Sequence, residues 1–225
     1  VSMALSSVVA KVDPAVIPRV PLSPREKMPQ TPIDRVAEEP DLGTGLIDPS
    51  RYTSPEFAQL EWDRMWTKTW LNAGRLSDIP DVGDYFTHEI GRESFLFMRT
   101  GTGETDVKGF YNICPHRGSR LRTGVGCGHA DQLQCPFHLW NFNIQGELQH
   151  VPDEQHFVNG IPEDKRSLSE VVVDGWAGFV WFNMNPNCEP LMEFLGDMPA
   201  HLDPYRLETY HIAEDYVIEW ECNWK

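Results

Sequence analysis

Two short runs hold the residues whose types and spacing could do chemistry: Cys114-Pro115-His116-Arg117-Gly118 and Cys135-Pro136-Phe137-His138-Leu139-Trp140. Reduced to possible ligands they read Cys-x-His, eighteen residues, then Cys-x-x-His. Two thiolates and two imidazoles can hold a tetrahedral structural zinc. They also suit a two-iron cluster in which two thiolates hold one iron and two neutral imidazoles the other. A zinc finger usually keeps both cysteines in one knuckle and both histidines in another. Here each run holds one of each, so each loop can supply one ligand to each iron. On that pairing Cys114 and Cys135 share one iron, and His116 and His138 share the other. Pro115 and Pro136 fix φ and stiffen the loops, and Gly118 lets the backbone come close to the site.

With the flanking residues included, the stretch resembles the Rieske centre of aromatic ring-hydroxylating oxygenase α subunits. That signature has the form Cys-x-His-Arg-Gly followed by Cys-x-x-His-x-Trp, and it is met here at Cys114 to Gly118 and Cys135 to Trp140. Respiratory-chain Rieske proteins carry a further cysteine pair that ties the two loops. Ser119 and Phe137 stand at the matching positions, which points to the oxygenase branch. Leu139 departs from the family, which most often has Gly there, and the departure bears on the backbone after His138.

The resemblance covers about residues 52–225 and implies a [2Fe-2S] Rieske cluster held by Cys114, His116, Cys135 and His138. It implies electrons from NAD(P)H through a reductase, often with a ferredoxin, and a mononuclear Fe(II) in the adjacent subunit, where O2 is used to hydroxylate an aromatic small molecule. It implies a ring of three α subunits, with or without β subunits. In the family an Asn-Trp-Lys sequence stands near the start of the catalytic domain, and Asn223-Trp224-Lys225 ends this sequence. The mononuclear iron ligands follow that point in the family, so no catalytic residue is expected here. This stretch alone should carry electrons without hydroxylating. Two other readings stand beside this one: a stand-alone Rieske ferredoxin-type carrier, and a zinc-stabilised interaction domain.

Other ligand-type residues read more plainly. Cys127-Gly128-His129 is a second Cys-x-His, but it lies only eight residues before Cys135, in a run with Gly124, Gly126 and Gly128. Cys127 reads as a free thiol on a flexible insertion. His150, Asp153 and His156 have the ligand types of a non-haem iron site, yet Pro152, Asp153 and Glu154 read as a solvated loop. Reduction of a neutral oxidised cluster makes it negative, so Arg117, Arg120 and Arg122 are candidate stabilising cations, Arg117 first because it lies within the motif.

The elements that must position these loops are mainly β. The sequence suggests an antiparallel Rieske domain over 69–184 with two hairpin ligand loops. A helix over 51–68 precedes it, and the start of an α+β catalytic domain follows over 185–225. Residues 1–50 hold eight of the eighteen prolines and read as an extended arm. Ser54-Pro55-Glu56 opens the helix with a cap, a first-turn proline and an acid at the positive end. Trp62, Trp66 and Trp70 recur at every fourth position and read as core. Strands are expected at 70–75, 84–90, 94–99, 108–113, 132–134, 141–144, 147–150, 168–173 and 176–183, with Asp174-Gly175 as the last hairpin turn. A short helix at Leu191–Leu195 and a strand over Tyr216–Trp220 follow.

Composition sets outer bounds. The net charge of −15 argues against nucleic acid and anionic membrane as partners. No apolar run of about 18 residues suggests a transmembrane helix. Val1 to Ala10 lacks the basic n-region of a signal peptide. Five cysteines, two of them committed to iron, make no disulfide framework and suit a reducing cytoplasm.

Overall fold

The strand Glu93–Arg99 (β3) explains the architecture. Its centre is the unbroken apolar run Phe95-Leu96-Phe97-Met98, and all four residues are fully buried. A strand covered on both faces reads this way. Phe95 and Phe97 face one core, with Phe86, Ile79, Val180 and Phe182. Leu96 and Met98 face another, with Phe110, Leu133, Trp140, Phe142 and both Cys114 and Cys135. One strand therefore underlies the candidate site and backs it with a second core.

The computed structural model describes residues 44–225 apart from 104, 125, 153 and 213–221. Most of the proline-rich arm, Asp153 and the strand expected over Tyr216–Trp220 lie outside the described residues. Seven antiparallel strands form the main sheet: β1 (Leu71–Arg75), β2 (Asp84–Ile90), β3, β4 (Val107–Tyr111), β5 (Cys127–His129), β9 (Glu170–Trp176) and β10 (Phe179–Asn183). Their spatial order is β1-β10-β9-β4-β3-β2-β5. The described residues also form a smaller sheet of β6 (Gln132–Gln134), β7 (Asn141–Asn143) and β8 (Leu148–His150). Among the described residues no helix is long and apolar enough to cross a membrane.

Three expectations need correction. The last hairpin does not turn at Asp174-Gly175. β9 runs on to Trp176, which pairs with Phe179, and the turn is Ala177-Gly178 with φ of +56° and +78°. Two positive φ values are what a tight hairpin needs to match strand twist, and Gly178 supplies one without strain. The helix over 51–68 is not continuous. A first turn at Ser50–Thr53 (α1) breaks at Ser54, whose Oγ accepts from Phe57 N–H at 3.1 Å, and the helix continues as Pro55–Glu61 (α2) and a wider π turn at Trp62–Trp66. The tryptophan stripe is therefore divided. Trp62 lies against Gly91 and Arg92, Trp66 meets Trp224 edge-on at 5.0 Å, and only Trp70 joins a core, with Leu191 and Leu195.

The chain's end clasps the helical stretch. Asn223 Nδ2 donates to Tyr52 O at 3.0 Å, Trp224 Nε1 to Glu61 Oε2 at 3.2 Å, and Lys225 Nζ lies 2.8 Å from Glu61 Oε1.

Gly109, on β4 between β3 and β9, leaves no room for a side chain. A Cβ there would lie 2.6 Å from Val173 Cγ2 and 2.8 Å from Phe97 Cε1. Gly109→Ala should cost about 1–3 kcal/mol through overpacking. The expected readout is a lower urea midpoint at unchanged slope; a wild-type midpoint would refute the packing constraint.

Candidate metal centre

Two turns of one design present the four candidate side chains. Cys114 N–H donates to Ser119 O at 2.8 Å, and Gly118 N–H returns to Cys114 O at 2.9 Å. Cys135 N–H donates to Trp140 O at 2.8 Å, and Leu139 N–H returns to Cys135 O at 3.1 Å. In each turn the fourth residue after the cysteine has positive φ: +73° at Gly118 and +59° at Leu139. The departure from glycine at Leu139 thus leaves the loop path unchanged and strains the residue by about 1–2 kcal/mol. The first turn follows β4 and is pinned by the bridge between Ile113 and Arg120. The second joins β6 to β7, where Gln134 faces Asn141.

The turns bring all four side chains together. Cys114 and Cys135 are each 1% exposed and belong to one buried cluster, where each bears on the other electrostatically. The rings of His116 and His138 sit 4.6 Å apart at 65°. Trp140 stacks flat on His116, at 4.7 Å and 3°, and sets the plane of that ring. The Nδ1 atoms of His116 and His138 are both buried with no hydrogen-bond partner. A buried polar atom left unpaired costs about 1–3 kcal/mol, so two side by side, next to two buried sulfurs, form a donor set that fits a metal group. The two cysteines share one buried cluster and the two histidine rings lie against each other, so the donors form a sulfur pair and a nitrogen pair. That division fits a cluster with two unlike irons better than one tetrahedral ion.

Electrostatics without the group follow from burial. Desolvation pushes the Cys114 thiol up to about 11, with Cys135 adding to the rise and the His116 N–H and Lys165 opposing it. Desolvation also lowers His116, helped by His138, Arg117 and Lys165, and so favours the neutral imidazole a metal needs.

The candidate cations take different roles. Arg117 is exposed. Arg120 pairs with Glu89 at 2.5 Å. Arg122 reaches Gln134 O and Gln132 O at 3.5 and 3.4 Å, linking the first loop to the strand that enters the second. Cys127 is a free thiol, but not on a flexible insertion: it pairs with Phe86 on the edge strand β5, and His129 Nδ1 lies 2.8 Å from Asp84 Oδ1. His150 and His156 are exposed.

Two residues of the site escaped the sequence reading. Asn112, 1% exposed, bonds Arg122 O at 2.8 Å and Ser94 Oγ at 3.1 Å and accepts from Arg122 N–H at 2.9 Å, closing the base of the first loop. Lys165 Nζ donates to Pro115 O at 3.0 Å and His116 O at 3.1 Å. Proximity of Asn112 to Cys114 was a weak signal for the first; nothing in the sequence marks the second.

Over this stretch the chain is similar to known proteins. A family profile described as the Rieske [2Fe-2S] domain matches residues 69–165. The α subunit of biphenyl 2,3-dioxygenase from Rhodococcus jostii is 30% identical over 84% of this chain and 42% of its own length. The oxygenase subunit of carnitine monooxygenase from Escherichia coli is 32% identical over 77% of this chain and 46% of its own. Among solved structures, a quaternary ammonium Rieske monooxygenase bound to L-carnitine superposes with a TM-score of 0.70 at 28% identity, covering 78% of this chain and 49% of that one. Naphthalene 1,2-dioxygenase with indole in its active site gives 0.60 at 34% identity, covering 66% and 33%. The chain spans less than half the length of these relatives.

A raised thiol value favours the protonated form in the fold. The metal-free fold therefore keeps this stability below the ordinary thiol value near 9 and loses it as pH rises toward 11. At pH 8 in metal-free native protein, a thiol reagent should modify exposed Cys222 well before buried Cys114 and Cys135. Equal rates, read by mass spectrometry of peptides, would contradict the burial described.

Proposed function

The chain carries a Rieske [2Fe-2S] domain related to those of Rieske oxygenase α subunits, and on that premise we propose that it is the electron-accepting portion of such an oxygenase. Cys114 and Cys135 would hold one iron, and His116 and His138 the other. The observation that carries this is the pair of buried, unpartnered Nδ1 atoms beside two buried sulfurs. When bound, the group supplies reversible one-electron chemistry. The chain's own residues do the rest. The matched turns set the ligand spacing, Trp140 holds the His116 plane, burial keeps His116 neutral, and the apolar floor of Leu96, Met98 and Phe142 excludes water.

In this reading, electrons arrive from an NAD(P)H-dependent reductase or a ferredoxin and leave for a mononuclear non-haem iron outside this stretch, for O2-dependent hydroxylation. A trimer of α subunits belongs to the same reading, as does a cytoplasmic location. The finer assignment is an aromatic substrate, and the relatives named as biphenyl and anthranilate dioxygenases support it. Relatives named as carnitine and glycine betaine monooxygenases share the same stretch, so a quaternary ammonium compound is the other arm of the substrate test. Asn223 to Lys225, clasped to the helical stretch, favour the oxygenase over a stand-alone carrier, which has no use for the clasp.

The test is anaerobic assembly of the cluster in the 225-residue chain. Two irons and two sulfides per chain, reducible by one electron, are expected, with a midpoint around −150 mV because Ser119 and Phe137 rule out an inter-loop disulfide. Cys135→Ser and His138→Ala should each lose the cluster. A colourless protein with one zinc, or a midpoint well above 0 mV, would overturn the reading. The chain alone should turn over no substrate; oxygenation by it alone would also overturn the reading.

A further inference from the structure

Lys165 lies 49 residues beyond His116 in sequence, yet its ammonium is bonded to the first loop. It sits in a short 3-10 turn, Glu163–Lys165, between buried Ile161 and Leu168. That segment is fixed to the β7–β8 hairpin, since Leu148 N–H donates to Arg166 O and Leu168 N–H donates to Gly146 O, both at 2.8 Å. The lysine is thus held on a rigid mount rather than draped over the surface.

The two carbonyls it binds are those of Pro115 and His116, at 3.0 and 3.1 Å. Pro115 and His116 follow Cys114 directly, so the ammonium is held against the turn that carries two of the four candidate ligands. The reduced state of an iron–sulfur centre is the more negative one and its potential depends on the charge around it, so a cation held there favours reduction. Lys165 lines an open cleft beside His116, together with Phe157 and Pro162, and its half-buried ammonium acts on the loop at short range through the two direct hydrogen bonds.

We propose that Lys165 is a positioning residue for electron uptake. It fixes the first ligand loop and, through a positive charge held at the Pro115 and His116 carbonyls, raises the affinity of the site for an electron. Of the other cations near the first loop, Arg120 is paired with Glu89 and Arg122 is spent on backbone carbonyls of the second loop's entry strand. The inference rests on the cluster assignment above.

The experiment is a redox titration of the cluster-loaded chain, followed by visible absorption, with iron and sulfide measured on each variant. Lys165→Met should lower the equilibrium constant for one-electron reduction about tenfold, a 59 mV fall in midpoint. Lys165→Arg, which keeps the charge, should stay within about threefold of wild type on the same scale. Lys108→Met removes a lysine paired with Glu170 away from the loops and should leave the midpoint unchanged. If Lys165→Met does not load, Lys165→Gln keeps a neutral donor and should still show the fall. A loaded Met or Gln variant at the wild-type midpoint overturns the proposal, as does an Arg variant that falls as far as Met. A wild-type chain that assembles no cluster sinks the parent reading instead.

Discussion

Everything at the centre depends on one backbone constraint used twice. Each cysteine closes its N–H onto the carbonyl five residues on and accepts at its own carbonyl from the residue four on. Such a turn demands left-handed backbone at its fourth position, met by Gly118 without strain and by Leu139 against its preference. The histidine offset differs, two residues in one turn and three in the other, so identical turns deliver unlike ligand geometry. Both turns hold their sulfurs on the same apolar floor, made by one face of β3.

The polar groups that brace the loops share a habit. Asn112 and Arg122 bond to backbone carbonyls, and so does Lys165. A carbonyl is present whatever the side chain, so the shape of the loops is held without a dedicated partner at each position. This leaves surface side chains free to vary in a strongly acidic protein while the path of the chain stays set.

The candidate ligands were legible because spacing alone pairs them, and most strands were legible because alternation and apolar runs report burial directly. Where the sequence misled, a local signal lost to a longer-range one. Asp174-Gly175 carries turn chemistry, but both residues remain in a strand paired to β10, and Ala177-Gly178 makes the turn. Trp62, Trp66 and Trp70 keep helical spacing only on paper, since a π turn widens the helix and β1 begins right after Trp70. Leu139 gave no hint that it would accept positive φ. Lys165 could not be found at all, because a contact across 49 residues exists only once β7, β8 and the 3-10 turn are packed.

The clasp of Asn223 and Lys225 on Tyr52 and Glu61 has a consequence for modularity. It joins residues 171 positions apart, so the helical stretch before the β fold and the Asn223–Lys225 stretch after it meet on one patch of surface. Units with adjacent ends can be inserted into a host, or have their ends linked and reopened elsewhere, with little disturbance to either fold. The seam made by the clasp sits at the helical stretch rather than at the loops that carry the four candidate ligands.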